Sequence, residues 1–129
     1  VLLAETFGPS VQDLKYGIEA GDTKGLRVFA IYTKPDGVYF KALNSDVLDE
    51  KLANMGIDRV PVLYKGPYSE EVKEEYTNGK ETVSGKELHI REGIVITPAV
   101  ERYEQAIGRL ILKSVSMDYL FRKNGTEFN

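Results

Sequence analysis

The chain has 129 residues, 42% of them hydrophobic and 29% charged, with a net charge of −3, which suits one domain or a large piece of one and argues against disorder. It carries no cysteine and one histidine, His89, which excludes disulfides, thiolate zinc sites, thiol catalysis and multi-histidine metal centres. No apolar run approaches the length of a bilayer span and no signal peptide is visible, so membrane association is not expected and a reducing cytoplasm is the expected compartment.

Residues 1–6 read as a short strand, broken by Pro9 and Ser10. Residues 11–14 are expected to form one turn before Gly17, and Gly21, Asp22 and Gly25 mark a loop. Residues 26–33, rich in Leu, Val, Phe, Ile and Tyr, predict a strand. Lys34-Pro35-Asp36-Gly37 then reads as a tight turn, because proline presets φ and glycine accepts positive φ, with Val38-Tyr39-Phe40 as the returning strand. Ser45 is the expected N-cap of a helix carrying Leu48, Leu52 and Met55 at helical spacing, closed by Gly56. Residues 60–64 predict a short buried strand, with Pro61 at its edge or start. Ser69 caps a second predicted helix over residues 70–76, with Asn78-Gly79 ending it and a polar loop over residues 80–87.

Residues 89–97 predict a strand interrupted by Gly93, and residues 99–108 a loop or short helix. Residues 109–115 predict another strand, and Ser116 caps a last helical stretch over residues 117–122. The fold class expected from this order is α+β with mostly antiparallel pairing.

Charge is unevenly distributed. Residues 44–87 hold six Lys or Arg against ten Asp or Glu, and residues 89–129 hold six against five. The acid excess of the middle reads as solvated helix faces, so a phosphate-binding surface has to be built locally from the two ends.

Two predicted strands place an isolated charge among apolar neighbours. One is His89-Ile90-Arg91-Glu92-Gly93-Ile94-Val95-Ile96, the other Leu110-Ile111-Leu112-Lys113-Ser114-Val115-Ser116. A buried unpaired charge is expensive, so such a residue usually has a partner or a ligand. A carboxylate and an ammonium on neighbouring strands can together hold a metal–phosphate group. Periodicity alone leaves a second reading open, in which each charge faces water or pairs across the sheet.

The segment Glu92-Gly93-Ile94-Val95-Ile96 resembles motif IV of the covalent nucleotidyltransferases, and Leu112-Lys113-Ser114-Val115-Ser116 resembles their lysine-bearing motif V. Ala4-Glu5-Thr6-Phe7-Gly8, with Gln12 and Tyr16-Gly17, resembles motif III in its RNA-ligase form. Val28-Phe29-Ala30-Ile31-Tyr32 resembles motif IIIa. Four motifs in order over nearly the whole chain are similar to the ATP-dependent RNA ligase family; DNA ligases and capping enzymes are less similar relatives.

The resemblance implies that residues 1–129 form the C-terminal portion of one nucleotidyltransferase (ATP-grasp-like) domain, with antiparallel sheets, flanking helices and the nucleotide between sheets. It implies ATP with Mg²⁺ or Mn²⁺ as cofactors and RNA ends as partners, 5′-phosphate being joined to 3′-hydroxyl as in RNA repair. Glu5 would accept hydrogen bonds from the ribose, and Phe29 would stack on the adenine. Glu92 would bind the metal, and Lys113 would contact the α-phosphate and offset charge in the transition state. From their residue types alone, Phe29 also reads as a core aromatic and Glu5 as a surface charge, while His89 and Arg91 receive no role.

The pattern departs from the family in places. The lysine nucleophile, in the pattern Lys-x-Asp/Asn/His-Gly, normally precedes motif III, and no such segment does so here. The chain is therefore expected to be a fragment, inactive alone, with exposed strand edges that favour marginal stability or dimerisation. Lys34-Pro35-Asp36-Gly37 matches the pattern literally but follows motif IIIa and reads as a turn. In Arg122-Lys123-Asn124-Gly125 an arginine holds the nucleophile position, and arginine stays protonated. Ala4, Ala30 and Val115 stand where the family often has glycine, aspartate and a second lysine, with Arg109 a candidate replacement for the last. These departures keep a second expectation alive, a non-catalytic nucleotide- or RNA-binding remnant; a DNA ligase or capping-type relative with another polynucleotide substrate is the third.

Overall fold

A computed structural model describes residues 1–8, 16–17 and 25–122. The turn expected over residues 11–14, the loop residues Gly21 and Asp22, and Gln12 lie outside the described residues. Two compact units make up the chain: Val1–Glu5, Leu26–Val60 and Thr97–Ile111 in the first, and Thr6–Gly25, Pro61–Ile96 and Leu112–Asn129 in the second. Helices and antiparallel ladders are mixed, so the α+β expectation holds.

The first unit is organised on a three-stranded sheet in which β2 (Gly25–Thr33) lies between β1 (Leu2–Phe7) and β3 (Lys41–Ala42). The Val1 ammonium donates to the Tyr32 carbonyl at 2.8 Å and the Tyr32 amide returns a bond to Val1 at 2.7 Å. Strand β3 runs antiparallel to β2, with Tyr32 opposite Ala42 and Thr33 opposite Lys41. Their connection is the predicted turn, closed by the Gly37 amide on the Lys34 carbonyl at 3.1 Å. The return strand begins later than the sequence suggests. Asp36 Oδ1 accepts the amides of Val38 and Tyr39 at 2.9 and 3.0 Å, and amides so engaged do not join a ladder.

Helix α1 (Ser45–Met55) follows. Leu48 and Leu52, four residues apart, share a helix face and pack on Val28 of β2. Val28 is 0% exposed and Leu52 1%; burying such side chains stabilises by roughly 1.5–3 kcal/mol each. Asn44, not Ser45, is the N-cap. Its side chain makes no capping bond because Oδ1 accepts the Glu101 amide at 2.8 Å. Gly56 ends the helix in the left-handed region at φ 68°, as a C-terminal glycine does.

The strand expected over residues 60–64 does not form. Arg59 bridges Val28 in parallel and the Val60 amide donates to the Val28 carbonyl at 2.9 Å, and the pairing goes no further. Residues 99–108 were open between loop and helix on sequence. They contain β5 (Tyr103–Glu104), which pairs antiparallel with β6 (Gly108–Arg109).

In the second unit, α2 (Glu70–Thr77) starts as predicted, with Ser69 Oγ accepting the Val72 amide at 3.1 Å. Strand β4 (Gly93–Ile96) pairs antiparallel with β7 (Leu112–Val115). The single strand expected over residues 109–115 is thus divided between β6 and β7. Thr77 Oγ1 of α2 is hydrogen-bonded to Ser114 Oγ of β7 at 2.7 Å, so α2 covers the Ser114 face of this ladder. Ser116, 1% exposed, caps α3 (Met117–Leu120) by accepting the Tyr119 amide at 3.1 Å.

Candidate functional site

Glu5 lies on β1 and is exposed. Phe29 lies on the neighbouring β2, where strand alternation sends Val28 and Ala30 into the core and leaves Phe29 38% exposed. Phe29 is therefore not a core aromatic. A ring open on a strand is available for stacking. The small cleft behind it, lined by Phe29, Ser45, Arg59, Thr97, Glu101 and Arg109, measures about 20 Å³. That is room for a single water, not for a base, so stacking has to use the ring's outward side.

The charged lining of that cleft is internally paired. Arg109 grips Glu101 with two bonds, Nε to Oε2 at 2.9 Å and Nη2 to Oε1 at 2.7 Å, and its Nη1 donates to the Tyr32 hydroxyl at 3.0 Å. The bond to Glu101 comes first among the causes that raise the guanidinium above its ordinary pKa. Arg59 reaches Asp49 at 2.5 Å and Ser45 Oγ at 3.0 Å. Arg109 is accordingly a bracket within the first unit and not a spare phosphate cation, which corrects its sequence assignment as a stand-in for the second motif V lysine. This network escaped the sequence reading, because a lone Arg and Glu eight residues apart carry no signal before β5 and β6 fold back.

Glu92 and Lys113 belong to the second unit. Lys113 pairs with Val95 across the β4–β7 ladder, and the Ser116 amide donates to the Glu92 carbonyl at 2.9 Å just beyond it. The two strands singled out on sequence are thus direct neighbours. The burial argument fails for one of them. Lys113 is exposed, on the face opposite Ser114 and α2, with Val95 61% exposed across from it. Its charge stays solvated and can be offered outward. Glu92 is half-buried.

Gly93, between Glu92 and the ladder, is required by geometry. A Cβ there would lie 2.1 Å from the Ser114 carbonyl oxygen and 2.9 Å from Val115 Cα, at a φ of 155°. Only glycine lets β7 approach so closely. Ala30 is buried at 2% and Ala4 packs on the Val28 cluster, which accounts for small apolar side chains at two departures from the family pattern. Val115 is half-buried opposite Gly93.

Beside the Glu92 strand stands a buried carboxylate that sequence reading passed over as loop. Glu81 is 1% exposed. It accepts the amides of Ser84 and Leu88 at 3.0 and 3.1 Å and the Ser84 hydroxyl. Burial penalises its charged form, but the Ser84 and Leu88 bonds and nearby His89 outweigh that and hold its pKa below the ordinary value. His89 donates from Nδ1 to the Ile90 carbonyl at 2.8 Å and meets the Tyr16 ring edge-on, centroids 4.5 Å apart. A Glu followed by Ser three residues on and Gly at four was the available signal.

The two sequence matches to the nucleophile pattern have different surroundings. Lys34 opens the turn described above, and its Nζ lies 4.6 Å from the Phe40 ring centre. Arg122 stacks on Tyr119 at 3.6 Å beyond α3, while Lys123, Asn124 and Gly125 lie outside the described residues.

Among the described residues no three His, Asp or Glu side chains gather into a metal cage, and no helix is long and apolar enough to cross a membrane. No curated relative and no solved structure gives a match. A family model described as RNA ligase matches residues 1–115, and the chain belongs to the RNA ligase family.

Proposed function

We propose that the chain supplies the nucleoside, phosphate and metal contacts of an ATP-dependent RNA ligase. The observation that carries this is the direct pairing of the Glu92 and Lys113 strands within a chain matched to the family over residues 1–115. In this reading Phe29 stacks on adenine, a contact on the order of 1–3 kcal/mol, and Glu5 accepts from the ribose. Lys113, exposed and charged, meets the α-phosphate. Mg²⁺ or Mn²⁺ is ordinarily held through one or two carboxylates plus substrate phosphates, and Glu92 fits that sparse donor set. When bound, the ion offsets phosphate charge.

The reaction begins as a lysine amine attacks the α-phosphate of ATP; pyrophosphate leaves and AMP stays as a phosphoramidate. AMP then passes to an RNA 5′-phosphate, and a 3′-hydroxyl displaces it as the phosphodiester forms. Lys34, the literal match to the nucleophile pattern, sits in the turn between β2 and β3 and is not assigned as that amine. A nucleotide- or RNA-binding remnant is the competing reading, favoured by Val115 in place of a second lysine.

Intact-mass measurement of the chain with ATP and Mg²⁺ tests the assignment of Lys34: no adduct is expected, and an adenylate on Lys34 would overturn the motif order. In the complete enzyme, Lys113→Ala is expected to lower RNA ligation at least about tenfold, the scale of a lost electrostatic contact in the transition state. Wild-type ligation in that variant would remove Lys113 from the site.

A further inference from the structure

The turn between β2 and β3 exposes three consecutive apolar residues: Val38 at 63%, Tyr39 at 69% and Phe40 at 49%. The fold of the first unit does not use them, as its core is Val28, Leu48 and Leu52. A run of open aromatic surface at a turn is unusual in a chain without a partner for it. Residues 34–41 also carry Lys34 and Lys41 against Asp36 alone, a local cationic excess in a chain whose net charge is −3. Lys34 covers one face of Phe40, which leaves Tyr39 as the most open ring. The two Asp36 bonds to the amides of Val38 and Tyr39 hold the backbone at the Tyr39 position before any ligand arrives, so little ordering entropy is lost on contact.

An open aromatic ring with flanking ammonium groups matches the chemistry of unpaired nucleotides, in which bases stack on aromatic side chains and phosphates meet lysines. Resting on the RNA half of the proposed function, we infer that this turn is a docking point for a single-stranded RNA end, with Tyr39 stacking on a base and Lys34 and Lys41 facing the flanking phosphates. Double-stranded RNA is a poor fit, since its bases are already stacked.

The test is fluorescence anisotropy of the full chain with a fluorescein-labelled single-stranded RNA oligonucleotide, read beside light scattering. Tyr39→Ala is expected to weaken RNA binding roughly five- to hundredfold, Tyr39→Trp to restore it, and Lys41→Ala to weaken it with a shallower salt dependence. Mg·ATP binding, measured separately, is expected to be unchanged in all three, so loss of the nucleotide-site reading and loss of this one are told apart. Unchanged RNA affinity in Tyr39→Ala, or no RNA binding by the wild-type chain, would overturn the inference. So would a Tyr39→Ala variant whose only change is a shift from dimer to monomer, which would assign the patch to a second copy of this chain.

Discussion

The two compact units are held together by different chemistry. In the first, the most deeply buried side chains are apolar: Val28, Ala30, Leu48 and Leu52. In the second, three of the buried side chains are Thr77, Glu81 and Ser116, each hydrogen-bonded to a neighbouring segment or helix end. An apolar cluster tolerates small shifts at its margins, because dispersion and burial are non-directional. A polar interior works only when its bonds are made in one geometry. The unit that carries Phe29 and Glu5, for which a nucleoside is proposed, thus has an apolar centre with its charged bracket at the cleft, while the unit that carries Glu92 and Lys113, for which phosphate and metal are proposed, buries polar groups that are pinned by directional bonds.

Substitutions can sharpen or break this contrast. Leu52→Ala in the first unit should have the largest effect, about 2–5 kcal/mol from lost burial and the cavity left behind, read as a lower urea midpoint. A change within error would mean that the Val28 cluster is not the unit's core. Gly93→Ala comes next, at about 1–3 kcal/mol from backbone strain, and it should selectively raise hydrogen exchange in β4 and β7. Protection retained there would contradict the close approach of the two strands.

Glu81 gives the smallest effect, on the order of 1 kcal/mol, with a sign set by pH. Its folded pKa lies below the ordinary 4.5, so its contribution is complete above about pH 4.5 and is lost as pH falls through the folded value. The protection factors of the Ser84 and Leu88 amides, which are exchange rates corrected for their intrinsic pH dependence, should therefore fall on acidification in the wild type. In Glu81→Gln they should be low already at neutral pH and change less with pH. Identical pH profiles would show that the carboxylate does not hold this loop.

Local signals in the sequence located most elements. Ser69 and Ser116 cap helices, Gly56 closes one, and Lys34-Pro35-Asp36-Gly37 turns the chain, because these residues act through their own backbone neighbours. The failures have non-local or competing causes. Pairing around residues 60–64 stops at a single bridge beside Val28, and Asp36 took the amides expected to begin a strand at Val38. The β5–β6 hairpin and the Arg109–Glu101 bracket depend on contacts that periodicity does not report. For the site, adjacency of the Glu92 and Lys113 strands was legible, and the exposure of Lys113 is the water-facing reading that periodicity had left open.

The most direct test of the nucleotide assignment is a heteronuclear NMR titration of the chain with Mg·ATP. Perturbed amides are predicted at Glu5 and Phe29 and also at Glu92 and Lys113, with the changes lost at adenine-facing positions in Phe29→Ala. Saturable shifts confined to other segments, or no shifts at any of these four residues, would contradict the account.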